Sequence, residues 1–148
     1  MSAKAYWVKP PSTLAGPLKQ YQQRVLTAIY AVAAYVGQQM QNDARRRAKW
    51  EDRTGNARSG LFFAVDGFGM SPLVGQLGSI SQGVDAVTKT TENAIVSGTT
   101  DRLVLALSHT MYYGKFLELS NGGKYAIIMS TMEANLPRLE AMLKNVLR

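Results

Sequence analysis

The sequence predicts an α+β domain in which a long N-terminal helix and a C-terminal helix pack on a mostly antiparallel sheet of four to five strands. Three observations support this: apolar residues recur every three or four positions from Leu18 to Ala44, branched and aromatic runs lie between residues 60 and 108, and a helical pattern follows residue 130. A chain of 148 residues, 46% hydrophobic, suits one compact domain. We therefore predict a single domain over residues 17–148, preceded by an extended arm over residues 1–16.

The predicted arm contains Pro10 and Pro11, leads into Pro17, and shows no periodicity. Tyr6 and Trp7 are its large aromatic anchors. We expect these two side chains to pack either on this domain or on a neighbouring subunit.

The first helix is predicted to span roughly 30 residues from its first turn at Pro17, where no amide donor is lost. Its basic C-terminal residues 45–49 complement the carbonyl end of the helix dipole. Gly37 lies inside the helix, and we expect a tolerated glycine, with close approach or a bend as alternatives. One apolar face is formed by Leu18, Tyr21, Val25, Ile29, Val32, Val36, Met40 and Ala44.

Strands are predicted at residues 60–66, 80–87, 92–98 and 102–108, and the last two form a hairpin through residues 99–101. The glycine-rich residues 67–79 are predicted to be a long loop at the sheet edge.

A short helix is predicted within residues 111–119, ended by glycines, and a short strand or an extended edge at residues 124–129. Ser130 and Glu133 have the spacing of a capping box at the start of the last helix. Because Pro137 lies inside this pattern, the helix begins either near Asn135 or near Thr131 with a kink.

No catalytic, cofactor or metal site is predicted, and we expect that the protein is not an enzyme. The chain has no cysteine, which excludes thiolate chemistry, and His109 is its only histidine, outside any nucleophile-elbow pattern. The ten carboxylates are scattered and are each explained as strand ends, turns or solvated helix faces. Gly67 and Gly69 follow a strand but lack the lysine and the helix of a phosphate loop.

The formal charge of +7 predicts attraction to an acidic partner. Residues 45–58 carry six positive and two negative side chains, a net charge of +4. This basic segment is compatible with an acidic protein surface, with nucleic-acid phosphates, or with a solvated helix end. No apolar run is long enough for a signal peptide or a membrane span, so we expect a cytosolic protein with no membrane partner.

The order of motifs resembles the tail-completion or neck proteins of tailed bacteriophages. A long helix ends in a basic segment, a Thr-Gly-x-x-Arg turn follows at Thr54, Gly55 and Arg58, and a Tyr-Tyr-Gly-x-x-x-Glu segment at residues 112–118 precedes the last helix. The resemblance covers most of residues 18–147.

The resemblance implies a structural virion protein that forms a ring of six or twelve copies and joins the head connector to the tail. The implied partners are the connector, the tail terminator or tube proteins and, non-specifically, packaged DNA; the implied location is the virion neck, after assembly in the host cytoplasm. A small basic nucleic-acid-binding protein is the alternative, and a metal-dependent nuclease is the third interpretation. We expect a head-to-tail contact between the basic helix end and a patch bearing Glu118. The expected interface residues are Arg46, Arg47, Trp50, Arg53, Thr54, Gly55, Arg58, Tyr112, Tyr113, Phe116 and Glu118.

Overall fold

The computed structural model describes residues 3–5, 11–50, 56–78, 98–110 and 114–148. It has the predicted α+β architecture, with an N-terminal and a C-terminal helix and a three-stranded antiparallel sheet of order β2-β1-β3. The elements are α1 (Pro11–Arg47), α2 (Asn56–Ser59), β1 (Leu61–Gly67), β2 (Met70–Val74), β3 (Leu103–His109), α3 (Gly114–Leu119), a 3₁₀ turn (Asn121–Gly123) and α4 (Ile128–Val146).

Helix α1 is longer than predicted, with 37 residues and a length of about 55 Å at 1.5 Å per residue. It begins at Pro11, so residues 11–16 are helical, not extended as expected for the arm, and Pro17 lies inside the helix. Pro17 is the seventh residue of the helix, beyond the four whose N–H groups have no partner within a helix, so it cannot donate the i→i−4 hydrogen bond expected at this position.

The apolar face of α1 is buried only in the C-terminal part of the helix. Val32, Val36 and Ala44 are buried in the core with Met40, whereas Leu18 and Tyr21 are 65% and 63% exposed. The sequence pattern correctly identified one continuous face, but the part before Val25 extends beyond the body of the domain.

Gly37 permits the close approach of α1 to the sheet. A Cβ atom at this position would lie 2.5 Å from Cδ2 of Phe63 and 2.9 Å from Cδ1 of Leu105. The expectation of a merely tolerated glycine was therefore wrong, and the alternative of close approach is correct.

Strands β1 and β2 form a hairpin within the segment that was predicted to be a long loop. Gly67 pairs with Met70 across the two-residue turn of Phe68 and Gly69, whose φ angles are 57° and 69°. Two consecutive positive φ values are those of a type I′ turn, which matches the twist of the strands. The loop prediction was wrong for residues 70–74.

Strand β1 is the central strand, and six of its seven residues are buried. It pairs with β3 from Leu61↔His109 to Gly67↔Leu103, as expected for the predicted strands at residues 60–66 and 102–108. Thr99 pairs with Arg102, which confirms the tight turn before β3. The predicted strand at residues 80–87 and all but Gly98 of that at 92–98 lie outside the described residues.

Side chains of α1 complete the hydrogen bonding of β1 beyond the end of β2. Gln41, only 1% exposed, accepts a hydrogen bond from the N–H of Phe63 (3.1 Å) and donates one to the carbonyl of Gln76 (3.1 Å). One turn later, Arg45 donates to the carbonyls of Leu61 (2.7 Å) and Gln76 (2.9 Å). The two side chains thus occupy the space between β1 and residues 75–78, where a strand backbone would otherwise supply the partners.

Helix α4 begins at Ile128, inside the segment predicted to be a strand at residues 124–129. That strand prediction was wrong, and Pro137 lies inside a helix that starts before both predicted positions. The buried amide of Asn135 joins α4 to α1 by donating to Oδ2 of Asp43 at 3.1 Å, and it also donates to the carbonyl of Thr131.

We predict that Gln41→Ala lowers the free energy of unfolding by about 2 kcal/mol, because it leaves the buried N–H of Phe63 without a partner, whereas the carbonyl of Gln76 keeps its hydrogen bond from Arg45. Urea denaturation followed by circular dichroism measures this. Gln38→Ala is the matched control, since the Gln38 side chain only bonds to Asn42 at the surface; we expect a loss below about 0.5 kcal/mol. Equal losses in the two variants would contradict the role assigned to Gln41.

Candidate functional site

The candidate site is the C-terminal end of α1, where the predicted basic segment begins. The last turn of the helix carries Arg45, Arg46 and Arg47. Helix C-terminal carbonyls lack partners within the helix and carry partial negative charge, so cationic side chains are stabilising here. The described arginines of this segment form two groups, one directed into the domain and one exposed.

Arg58 caps the end of α1. Nη1 donates to the carbonyl of Arg45 at 2.6 Å, and Nη2 donates to those of Ala48 at 2.9 Å and Trp50 at 3.1 Å. The planar guanidinium presents several donors in a fixed fork and can therefore hold three carbonyls at once. Arg58 thus closes the helix from the following element, α2.

Arg45 also acts inside the domain. Its guanidinium is half-buried, and its recorded partners are the carbonyls of Ser59, Leu61 and Gln76. Burial lowers the pKa of Arg45 from its usual value, because desolvation disfavours the charged form. The arginine remains a cation at neutral pH and holds α1 against the start of β1.

Arg46, Arg47 and Lys49 form the exposed part of the basic segment, which we call the basic patch. Arg46 makes an ion pair with Asp43, and its side chain is 74% exposed, so the pair contributes little to stability. Within the described part of the chain, no hydrogen bond or ion pair is recorded for Arg47 or Lys49. The basic patch is therefore accessible to an anionic partner.

Trp50 is buried, with 7% of its surface exposed, and contacts the ring of His109 edge-on with 6.5 Å between centroids. His109 in turn lies against Gly114, where an added Cβ would be 2.6 Å from its ring. Trp50 was expected at a subunit interface; within its own domain it anchors the chain after α1 to the end of β3.

Glu118 caps α4, a role that the sequence pattern had given to Ser130. One carboxylate oxygen, Oε1, accepts hydrogen bonds from the N–H groups of Ile127 at 2.7 Å and Ile128 at 3.0 Å. The negative charge also lies at the positive end of the helix dipole. Ser130 instead donates back to the carbonyl of Ile127.

Arg58 and Glu118, two of the residues expected at a head-to-tail contact between the basic helix end and a patch bearing Glu118, thus also have roles within the domain, and the contact itself stays a prediction. Both side chains cap helices within their own subunit, whereas Arg46, Arg47 and Lys49 of the basic patch are exposed. The other expected interface residues Arg53, Thr54, Gly55, Tyr112 and Tyr113, and the arm residues Tyr6 and Trp7, lie outside the described residues. Phe116 lies in α3, and its side chain also falls outside the description.

A second surface was not distinguished in the sequence, because its residues continue the apolar face of α1 that is buried further along the helix. Residues 13–24 of α1, which we call the outer segment, are all exposed. They present Leu14, Leu18 and Tyr21 on the face that is buried further along the helix. No local signal in the sequence distinguishes these residues from the buried ones, because the apolar spacing does not change where the body of the domain ends.

No protein-family model, curated protein or solved structure matches this chain. Its function must therefore be inferred from these surfaces. Among the described residues, no group of three or more His, Asp or Glu side chains is placed to hold a metal ion. Within the same residues, no helix has the length and hydropathy of a membrane span.

We predict that Arg58→Met lowers the free energy of unfolding by about 2 kcal/mol, because three carbonyls lose charge-assisted hydrogen bonds. Arg47→Met removes the same charge and is the matched control; at an exposed position its effect should stay within about 0.5 kcal/mol. Urea denaturation of both variants makes the comparison, and a neutral Arg58→Met would refute the capping role.

We predict that Glu118→Ala lowers the free energy of unfolding by about 1 kcal/mol, because the N-terminal cap of α4 is lost. Ser130→Ala, the change at the cap expected from sequence, should cost less. Differential scanning calorimetry of both variants compares the two losses of stability. A larger loss in Ser130→Ala than in Glu118→Ala would contradict the role of Glu118 and support the capping box predicted at Ser130.

Proposed function

We propose that this protein is a structural subunit of the neck of a tailed bacteriophage and forms a ring that joins the head connector to the tail. The observation that carries this proposal is the outer segment of α1, which exposes an apolar face beyond the body of the domain. Exposed apolar faces of this kind are typical of surfaces that bind other proteins.

The order of described elements is compatible with the proposal. A long helix, a basic helix end, an antiparallel sheet and a C-terminal helix follow one another as in the neck-protein pattern. The same proposal includes a sheet of four to five strands. Two of the predicted strands, at residues 80–87 and 92–98, lie outside the described residues except for Gly98.

The basic patch has a place in this function. Arg47 and Lys49 lie at the surface with the weakly paired Arg46, while Arg45 and Arg58 stabilise the helix end that presents them. A rigid cationic surface suits an acidic face of the connector or of a tail protein. We place the protein in the virion, in six or twelve copies.

The test is to image the particles made by a phage that lacks this protein. We expect filled heads and complete tails that remain separate, and recovery of joined particles when the wild-type protein is supplied. Supplying the Leu119→Ser variant is the control, because Leu119 is 82% exposed in α3 and belongs to neither candidate surface. Infectious particles formed without the protein would refute the proposed function.

A second candidate, nucleic-acid binding, is favoured by the exposed basic patch. Under this alternative, Arg46→Glu with Arg47→Glu should flatten the dependence of duplex affinity on salt, because each lost phosphate contact reduces the slope by about 0.9. Fluorescence anisotropy over a salt series measures the slope. An unchanged slope would exclude the basic patch as a phosphate-binding site.

A further inference from the structure

The outer segment of α1 has no counterpart in the described structure that covers its apolar face. Leu14, Leu18 and Tyr21 are 44%, 65% and 63% exposed, and Val25 completes their line at the edge of the domain. The intervals are four, three and four residues, which is the seam spacing of helices that pack at a small crossing angle.

Helix α4 carries a second exposed line with the same intervals. Met129, Glu133, Leu136 and Glu140 all lie at the surface, with Met129 and Leu136 63% and 49% exposed. The opposite flank of α4, which includes Thr131 and Asn135, is buried in its own domain. The exposed line of α4 is therefore available while the helix stays packed.

The two lines differ in charge in a complementary way. From Pro11 to Asn42, α1 contains no acidic residue, and its outer segment carries Lys19 and Arg24. The line on α4 contains two glutamates. Burying these two carboxylates against an apolar helix is unfavourable unless cationic side chains lie next to them. Lys19 and Arg24, which flank the apolar line of α1, supply such cations.

We propose that the outer segment of α1 packs on the exposed line of α4 of a second copy of this chain. The inference rests on the proposed ring, and it specifies the contact: a heterologous, head-to-tail interface in which each copy gives one helix face and receives another. Such a contact repeats from copy to copy and closes into a ring if the rotation allows.

Cross-linking tests the contact directly, because the natural chain has no cysteine. Leu18→Cys and Leu136→Cys are made as separate proteins of different mass, mixed and oxidised. Mixed dimers then report contacts between copies only. Tyr21→Cys with Leu136→Cys covers the opposite helix orientation, and Leu119→Cys is the matched exposed control. Mixed dimers with Leu136→Cys well above the Leu119→Cys background support the proposal, and their absence in both pairs overturns it.

Charge reversal provides the second test. Lys19→Glu with Arg24→Glu, or Glu133→Lys with Glu140→Lys, should each lower the mass measured by light scattering from that of the oligomer to that of one 16.2 kDa chain. Combining all four changes should restore the oligomer. Circular dichroism of each variant verifies that it is folded.

The outcomes separate this inference from the proposed function. Oligomers that survive both reversals, or a wild-type chain that stays monomeric at every concentration, would overturn the α1–α4 contact. Neither result would refute the neck function, which fails only if joined, infectious particles form without the protein.

Discussion

The structure depends on the need of a buried strand for hydrogen-bond partners. Beyond the end of β2, the backbone of β1 has no regular strand on one side, and Gln41 and Arg45 of α1 supply its partners. The free-energy penalty of leaving a buried N–H or carbonyl without a partner equals or exceeds the net contribution of one hydrogen bond to stability. These hydrogen bonds therefore fix the position of α1 along the sheet. The close approach at Gly37 and the buried face from Val32 to Ala44 are consistent with the same fixed position.

Capping from distant elements is the second constraint. Arg58 closes the C-terminal end of α1, and Glu118 closes the N-terminal end of α4. Both residues are charged, lie in short motifs and were natural choices for an interface. Their opposite charges suit the opposite ends of helix dipoles within one subunit, and this explains their presence without a partner protein. The residues that remain available to bind a partner are the exposed ones, those of the basic patch and of the outer segment of α1.

The sequence predicted much of the fold, and the reasons for its failures are physical. Regular apolar spacing identified α1 and the last helix, and branched and aromatic runs identified β1 and β3. The start of α1 was missed because proline and glycine suggested an extended arm, and β2 was missed because a Gly-Phe-Gly-Met turn resembles a loop until pairing is known. At the site, the basic helix end was found from charge alone. The roles of Arg45, Arg58 and Glu118 depend on partners eight or more residues away, which no local pattern reveals.

The continuity of α1 has a mechanical consequence. The helix runs without a break from the exposed outer segment to the arginines at its other end. Its contacts with the sheet, from Tyr30 to Arg45, all lie in its C-terminal half. Such an element is a stiff lever with one clamped end. A load applied at Leu14 or Leu18 is carried as a torque to the clamp at Gln41 and Arg45, so movement of a neighbour at one end of the subunit would tilt the cationic surface at the other.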